Sequence, residues 1–236
     1  MIEGDLSDAD SLRPAFSGVD TLFLVSPNPE LETQAVEVAR AADVRTIVKS
    51  SALASGAEPP AGHRAVEVAI ERAGVEWTFI RPSAFMQTLA AYLPMLVGPD
   101  GTFAVPAADG RTGWVDTRDI AAVACAALTE PGHDKQAYAV TGPEALSMSE
   151  VASRLSKAVG REIRYRPVSE EEARETLRAS ALPSGMDEFL VAHYRAVARG
   201  ELDLVTDVVE RVGHVDPRPL AALFEEHADD LAQPRP

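Results

Sequence analysis

The chain has 236 residues, a length that suits one large domain or one domain with a small additional lobe. Hydrophobic residues make up 46% and charged residues 25%, which excludes a mainly disordered chain. The formal net charge of -15 disfavours direct binding to nucleic acid or to an anionic membrane surface, because both carry negative charge.

The first half of the chain alternates between short apolar segments and segments with apolar residues at helical spacing. Residues 21–25, 45–50 and 75–80 each predict a strand, and residues 30–42 and 62–73 each predict a helix. Strands and helices that alternate in this way are typical of a parallel sheet covered by helices on both faces.

The second half is less regular. Its predicted elements are, in chain order, strands at 103–105 and 112–115, a helix ending at Leu128, a strand at 137–140, a helix ending near Val159 and a strand at 162–166. Ser147 and Glu150 form a capping box that begins the second of these helices. Cys125 is expected to be buried and inert, and the chain is mostly helical from Ser169 onwards.

A parallel α/β sheet favours a nucleotide cofactor at the carboxyl ends of its strands. The usual signature is a glycine-rich turn after the first strand, where backbone amides hold the pyrophosphate. No two of the fifteen glycines are separated by a single residue, so G-x-G-x-x-G is absent. Cofactor binding therefore stays open on these residues alone.

Several segments nevertheless resemble, in order and spacing, the NmrA-like family of atypical short-chain dehydrogenases/reductases. They are residues 4–6, 18–27, 47–52, 74–82, 85–87, 115–121 and 138–147. The resemblance implies an α/β fold with a truncated Rossmann-like parallel sheet. Residues 1–142 would form the partial NAD(P)-binding-type core, and residues 143–236 a smaller, mostly helical lobe over the substrate cleft.

The resemblance also implies what precedes residue 1 in the family. Gly4, Asp5 and Leu6 would end the third strand, and the first strand with its glycine-rich loop would come before them. Three explanations stay open: residue 1 is internal to a longer protein, the exposed strand at 21–25 is covered by a homodimer or by the C-terminal helices, or the chain is a degenerate member. Uncovered, that strand is a hydrophobic edge.

The resemblance implies site residues on the nicotinamide side of the cleft. The cofactor would contact seven residues: Asp5, Leu6, Ser26, Pro27, Ser50, Pro82 and Phe85. Phe85, Met86 and Gln87 would line the substrate side, which suits an aromatic or quinone substrate, although a plain apolar wall explains them equally. Arg81 precedes Pro82, where the strand is expected to stop, and a structural ion pair suits it better than an anionic ligand.

The Tyr-x-x-x-Lys pair of many related reductases is absent, because none of the four tyrosines is followed by lysine at that spacing. The corresponding position holds His63 and, one helical turn later, Glu67. His63 can exchange a proton near neutral pH, Glu67 could orient its ring, and Ser51 could bind a carbonyl or ribose oxygen. The structural alternative is that His63 fills the start of the helix, Glu67 is solvated and Ser51 satisfies local backbone groups.

Three functions fit this sequence. The first is an NAD(P)H-dependent oxidoreductase of the quinone- or carbonyl-reducing kind, implied by the resemblance. The second is a non-catalytic dinucleotide sensor or regulator, which the missing Tyr-x-x-x-Lys pair favours. The third is a cofactor-free isomerase, cyclase or lyase that uses His63 as its acid or base.

The remaining features indicate a soluble cytoplasmic protein. The single cysteine allows no intrachain disulfide, and the scattered histidines suggest no metal site. No apolar run approaches the ~20 residues that span a bilayer, and the first residues do not form a signal peptide.

Overall fold

The computed structural model describes residues 2–178 and 185–232. Its strands are β1 (Thr21–Leu24), β2 (Thr46–Ser50), β3 (Glu76–Pro82), β4 (Thr102–Val105), β5 (Arg111–Thr112), β6 (Gln136–Val140), β7 (Leu146–Ser147) and β8 (Arg164–Pro167). Its helices are α1 (Ala9–Phe16), α2 (Pro29–Ala41), α3 (Ala61–Ala73), α4 (Met86–Leu96), α5 (Thr117–Thr129), α6 (Met148–Val159), α7 (Glu170–Arg178), α8 (Met186–Ala198), α9 (Val208–Arg211), α10 (Leu220–Glu226) and α11 (Ala228–Ala232).

Four parallel strands form the central sheet, in the order β1-β2-β3-β6. The register pairs Thr21 with Thr46 and Thr46 with Glu76, so the strands start level with one another. All four strands therefore end at the same edge of the sheet, which brings the loops after β1, β2 and β3 together. This arrangement confirms the predicted parallel α/β fold.

Helices cover both faces of the sheet, as expected. On one face α2 and α3 pack against the buried side chains of Ile47 and Phe79. On the other face α5 and α9 pack against Val48 and Ile80. Strands that are apolar on both faces are typical of a parallel sheet between two helical layers.

The helix starts follow from local sequence. Asn28 accepts a hydrogen bond from the Glu30 backbone N–H at the start of α2, and Asp116 does the same for the Arg118 N–H at the start of α5. The predicted capping box of Ser147 is confirmed. The expectation that Cys125 is buried was wrong: it lies exposed on the outer face of α5.

Two predicted strand boundaries also need correction. β3 does not stop before Arg81 but continues to Pro82, because Arg81 and Pro82 still lie beside Ala139 and Val140 of β6. Residues 4–6 are not in a strand, since no strand of the described chain lies beside them to form a hydrogen-bonded ladder.

A second hydrophobic core lies beyond the end of the sheet. It joins α4, β4 and Trp114 to α6, α7, α8, α10 and α11. Val208 and Val209 of α9 instead pack against the sheet. Each of these cores therefore contains residues from both sides of position 142. The division into 1–142 and 143–236 stays a prediction.

The outer edge of β1 carries no partner strand among the described residues. Phe23 and Val25 at this edge are 40% and 60% exposed, so the C-terminal helices do not cover these side chains. The homodimer expected there stays a prediction. None of the described helices is both long and apolar enough to cross a membrane.

Candidate active site

A cavity of about 530 Å³ lies at the carboxyl edge of the sheet, between the loops after β2 and β3 and helices α4 and α8. Apolar side chains such as Leu53, Leu89 and Leu190 dominate its wall. Its volume and lining suit a small organic molecule. The position is the one where parallel α/β folds bind ligands.

Aromatic rings form one side of this cavity. The His193 ring lies 5.9 Å from that of Trp114, 6.4 Å and nearly parallel to that of Phe189, and 5.1 Å from that of Tyr194. Burial lowers the pKa of His193 to about 4, so its imidazole is neutral at neutral pH. These rings therefore present a flat, uncharged surface to a ligand.

His63 lies in the first turn of α3 and lines the same cavity. Burial lowers the pKa of His63, the charge of Lys49 lowers it further, and Glu67 opposes the shift. Its Nδ1 atom is shielded from solvent and has no hydrogen-bond partner among the described residues. A polar atom left in this condition costs free energy until a ligand or water satisfies it.

Ser51 and Glu67 belong to a buried polar network beside the cavity. The Ser51 hydroxyl donates to Glu67 Oε1 at 2.7 Å, and the Arg81 guanidinium donates to both Glu67 oxygens at 3.0 and 2.8 Å. Arg81 thus makes the expected ion pair. The structure does not support Glu67 as the group that orients His63, because these partners hold its carboxylate and His63 Nδ1 has none.

A second buried ion pair joins β2 to α2. Lys49 Nζ lies 2.8 Å from Glu32 Oε2, and both side chains are fully buried. Burial lowers the pKa of Lys49 and raises that of Glu32, while each partner's charge opposes these shifts. Sequence reasoning missed this pair, although a lysine inside an apolar strand was a usable signal.

Most of the predicted cofactor residues lie at the carboxyl edge. Ser26 and Pro27 follow β1, Ser50 ends β2 and Pro82 ends β3. Pro82 also lines the cavity. The Ser26 hydroxyl accepts a hydrogen bond from the Asn28 N–H at 3.0 Å, which leaves one lone pair for a ligand.

Asp5 and Leu6 are the exceptions. They precede α1, and the Asp5 carboxylate accepts hydrogen bonds from the Ser7 N–H and hydroxyl, which lower the pKa of Asp5. Neither residue lines the cavity. Asp5 is thus a turn residue in this structure.

The three predicted substrate residues lie in three different environments. Phe85 lines the cavity and is 38% exposed, whereas Met86 is fully buried in the core. The Gln87 carbonyl accepts a hydrogen bond from the Thr117 N–H at 3.0 Å and borders a different, smaller cleft beside α11. Only Phe85 is therefore placed to contact a ligand in the cavity.

Other lining residues escaped the sequence reasoning. The Ser83 hydroxyl and the Trp114 Nε1 are buried and have no hydrogen-bond partner in the part of the chain that the structure describes. Trp114, Phe189 and His193 lie far apart along the chain, and no local pattern connects them. Ser83 could have been noticed, because it directly follows the proline that ends β3.

No group of three acidic, histidine or cysteine side chains that could hold a metal ion occurs within residues 2–178 and 185–232.

Comparison with known proteins decides the family. The model of the NmrA-like family matches residues 1–220. The chain belongs to this family. An NAD(P)H azoreductase from Xenophilus azovorans is 34% identical over 235 residues, which cover 95% of this chain and 81% of that protein.

Two further proteins are similar to this NmrA-like chain. A (4-alkanoyl-5-oxo-2,5-dihydrofuran-3-yl)methyl phosphate reductase from Streptomyces griseus is 35% identical and matches 98% of this chain and 84% of its own length. The solved structure of an NADPH-dependent quinone oxidoreductase from Escherichia coli superposes with a TM-score of 0.86 at 25% identity, covering 95% of this chain and 82% of the other. These names favour the oxidoreductase over the sensor and the cofactor-free enzyme.

Proposed function

We propose that this NmrA-like protein is an NAD(P)H-dependent reductase that transfers hydride to a small planar aromatic acceptor of the quinone or azo kind. The observation that carries the proposal is the apolar, aromatic-lined cavity at the carboxyl edge of a parallel sheet. The names of the relatives, an azoreductase and a quinone oxidoreductase among them, give the reaction class.

Residues at the sheet edge fit the nicotinamide end of the cofactor. Ser26, Ser50 and Pro82 stand at the ends of three adjacent strands, and the unpartnered Ser83 hydroxyl suits a carboxamide or carbonyl oxygen. The absence of G-x-G-x-x-G leaves the pyrophosphate without an assigned partner in this chain. When bound, the nicotinamide supplies the hydride.

Residues of this chain would bind the acceptor and transfer the proton to it. Phe85, Phe189 and Trp114 contact the flat faces of the ring and exclude water from it. His63 contacts the acceptor oxygen, and its lowered pKa keeps the ring neutral at neutral pH. The imidazole would thus donate a hydrogen bond as negative charge develops and pass on a proton from solvent.

Ser51 and Glu67 would act indirectly, without contacting the ligand. The Ser51 hydroxyl is directed to Glu67, and Glu67 in turn neutralises Arg81 beneath the loops that border the cavity. They are positioning residues in this proposal, since neither lines the cavity.

The test is NADPH oxidation with a neutral quinone by the wild-type protein and by His63→Gln, which keeps a hydrogen-bonding side chain without proton exchange. We expect quinone-dependent turnover in the wild type and a loss of roughly 10²-fold or more in kcat for the variant. His227→Gln, an exposed histidine outside the cavity, is the matched control. Turnover that is equal in all three proteins would rule out the role of His63.

A further inference from the structure

The charge of the cavity wall sets a further limit on its ligands. Of the described residues that line the cavity, none is lysine or arginine, and Glu201 is the one carboxylate. The two lining histidines are held toward their neutral forms, because burial lowers the pKa of both His63 and His193. No fixed positive charge on this wall is available to pair with an anionic substituent.

The arginines of the neighbouring elements are already paired. Arg81 binds Glu67, Arg64 binds Glu67 and Glu71, and Arg195 binds Glu170. Moving one of them into the cavity would leave its carboxylate without a partner, which is costly for a buried group such as Glu67.

Glu201 lines the cavity, and its carboxylate has only a weak cationic partner. Its ion-pair partner among the described residues is Arg199, whose Nη1 lies 3.9 Å from Glu201 Oε1 and whose side chain is two-thirds exposed. Such exposed pairs are weak. A hydrogen bond holds the Glu201 backbone in place: its carbonyl accepts from the N–H of Gly56, in the loop after β2, at 2.9 Å.

We infer that this site selects its aromatic ligand by charge: Glu201 and the aromatic wall favour cationic over neutral and neutral over anionic rings. Aromatic faces attract cations through their ring quadrupole, and Trp114 and Phe189 provide such faces. The inference rests on the proposed site, and it makes Glu201 a specificity-determining residue. It also separates this cavity from sites that bind a phosphate-bearing substrate, which need cationic or N–H donors.

Direct binding tests this selection without turnover. Quinones quench tryptophan fluorescence, and Trp114 lines the cavity, whereas Trp77 stacks on Phe79 at 4.1 Å outside it. A Trp77→Phe background therefore reports on the cavity alone. The three probes are anthraquinones with a sulfonate, a sulfonamide or a trimethylammoniomethyl group at the same ring carbon.

We expect the sulfonate to bind roughly tenfold more weakly than the sulfonamide, and the ammonium probe at least as tightly as the sulfonamide. Glu201→Gln should lower the ratio of cation to anion affinity by roughly tenfold. Glu162→Gln, an exposed carboxylate outside the cavity, makes the same change in net charge and should leave that ratio unaltered.

Equal affinity for the three probes, or an equal shift in the Glu201 and Glu162 variants, would overturn the inference, and so would the absence of saturable quenching. The proposed function is scored separately by NADPH oxidation with the same probes. If the probes bind in the expected order and none is reduced, the inference of charge selection is supported and the proposed reductase function is rejected.

Discussion

The buried polar side chains decide the chemistry of this protein at the residue scale. His63 could be singled out because, by resemblance, it holds the position of the Tyr-x-x-x-Lys pair, and Ser51 because it follows a predicted strand at the cleft. Glu67 was also a candidate from the sequence, but its contacts with Ser51 and Arg81 could not be predicted, because the distance between α3 and β3 depends on packing. His193 and Trp114 meet only because α8 folds back over the sheet edge.

His193 makes stability depend on pH. Its pKa is about 4 in the folded protein, against an ordinary value of 6.5, because burial disfavours the imidazolium. Between these values the unfolded chain binds a proton that the folded chain does not. The free energy of unfolding should therefore fall by about 3 kcal/mol as the pH falls from 6.5 to 4, with no contribution above 6.5.

Urea unfolding of the wild type and of His193→Phe across this pH range measures the effect. Phenylalanine keeps a ring against Phe189 and Trp114 but cannot be protonated, so the variant should lose most of the slope near pH 5 to 6. The exposed His227, changed to Gln, is the control that should keep the wild-type slope. A slope in His193→Phe equal to that of the wild type would contradict the assignment.

At the scale of elements, periodicity identified β1, β2, β3, α2 and α3 with errors of one or two residues, but it missed α1 and α4. It erred where pairing decides the outcome. β3 is longer than expected because β6 lies beside Pro82. The strand that the family resemblance implied at residues 4–6 does not form, because no strand of the described chain lies beside them. The length of a strand, and whether it forms at all, depends on the strands beside it. The local sequence does not specify those neighbours.

Helix α8 depends on a close approach at Gly110. A Cβ atom at this position would lie 2.0 Å from the carbonyl oxygen of Val197, near the end of α8. Gly110→Ala should therefore displace α8 and lower the free energy of unfolding by about 1–3 kcal/mol. Because α8 carries Phe189 and His193, quinone quenching of Trp114 should weaken as well.

The control for this prediction is Gly62→Ala in the first turn of α3, where the added Cβ would meet only the flexible ring of Pro29 at 3.2 Å. Its unfolding free energy should stay close to that of the wild type. Thermal unfolding followed by circular dichroism measures both variants, and an unchanged midpoint for Gly110→Ala would be inconsistent with the close approach.

At the scale of the whole molecule, the segments that resemble the NmrA-like family predicted the fold class and the family. They did not reveal that the cavity wall draws on residues from 52 to 202. Surfaces built from distant parts of a chain depend on the docking of the C-terminal helices, and the sequence predicted only that the chain is mostly helical from Ser169 onwards.

The outer edge of β1 should make the molecule associate. Exposed backbone groups flanked by Phe23 and Val25 can pair with the same edge of a second copy. Sedimentation velocity should show concentration-dependent dimers that Phe23→Lys reduces. Val205→Lys, at a similarly exposed apolar residue in the C-terminal part, should not reduce them. A monomer at all concentrations, or equal behaviour of both variants, would exclude association through this edge.

The most direct test of the proposed reductase activity is the oxidation of NADPH by this 236-residue chain, with and without a neutral quinone, followed by nicotinamide absorbance. The proposed reductase predicts oxidation that requires both protein and quinone and saturates with each. A folded protein that neither oxidises NADPH nor changes the nicotinamide fluorescence of NADPH on titration would contradict the proposed function.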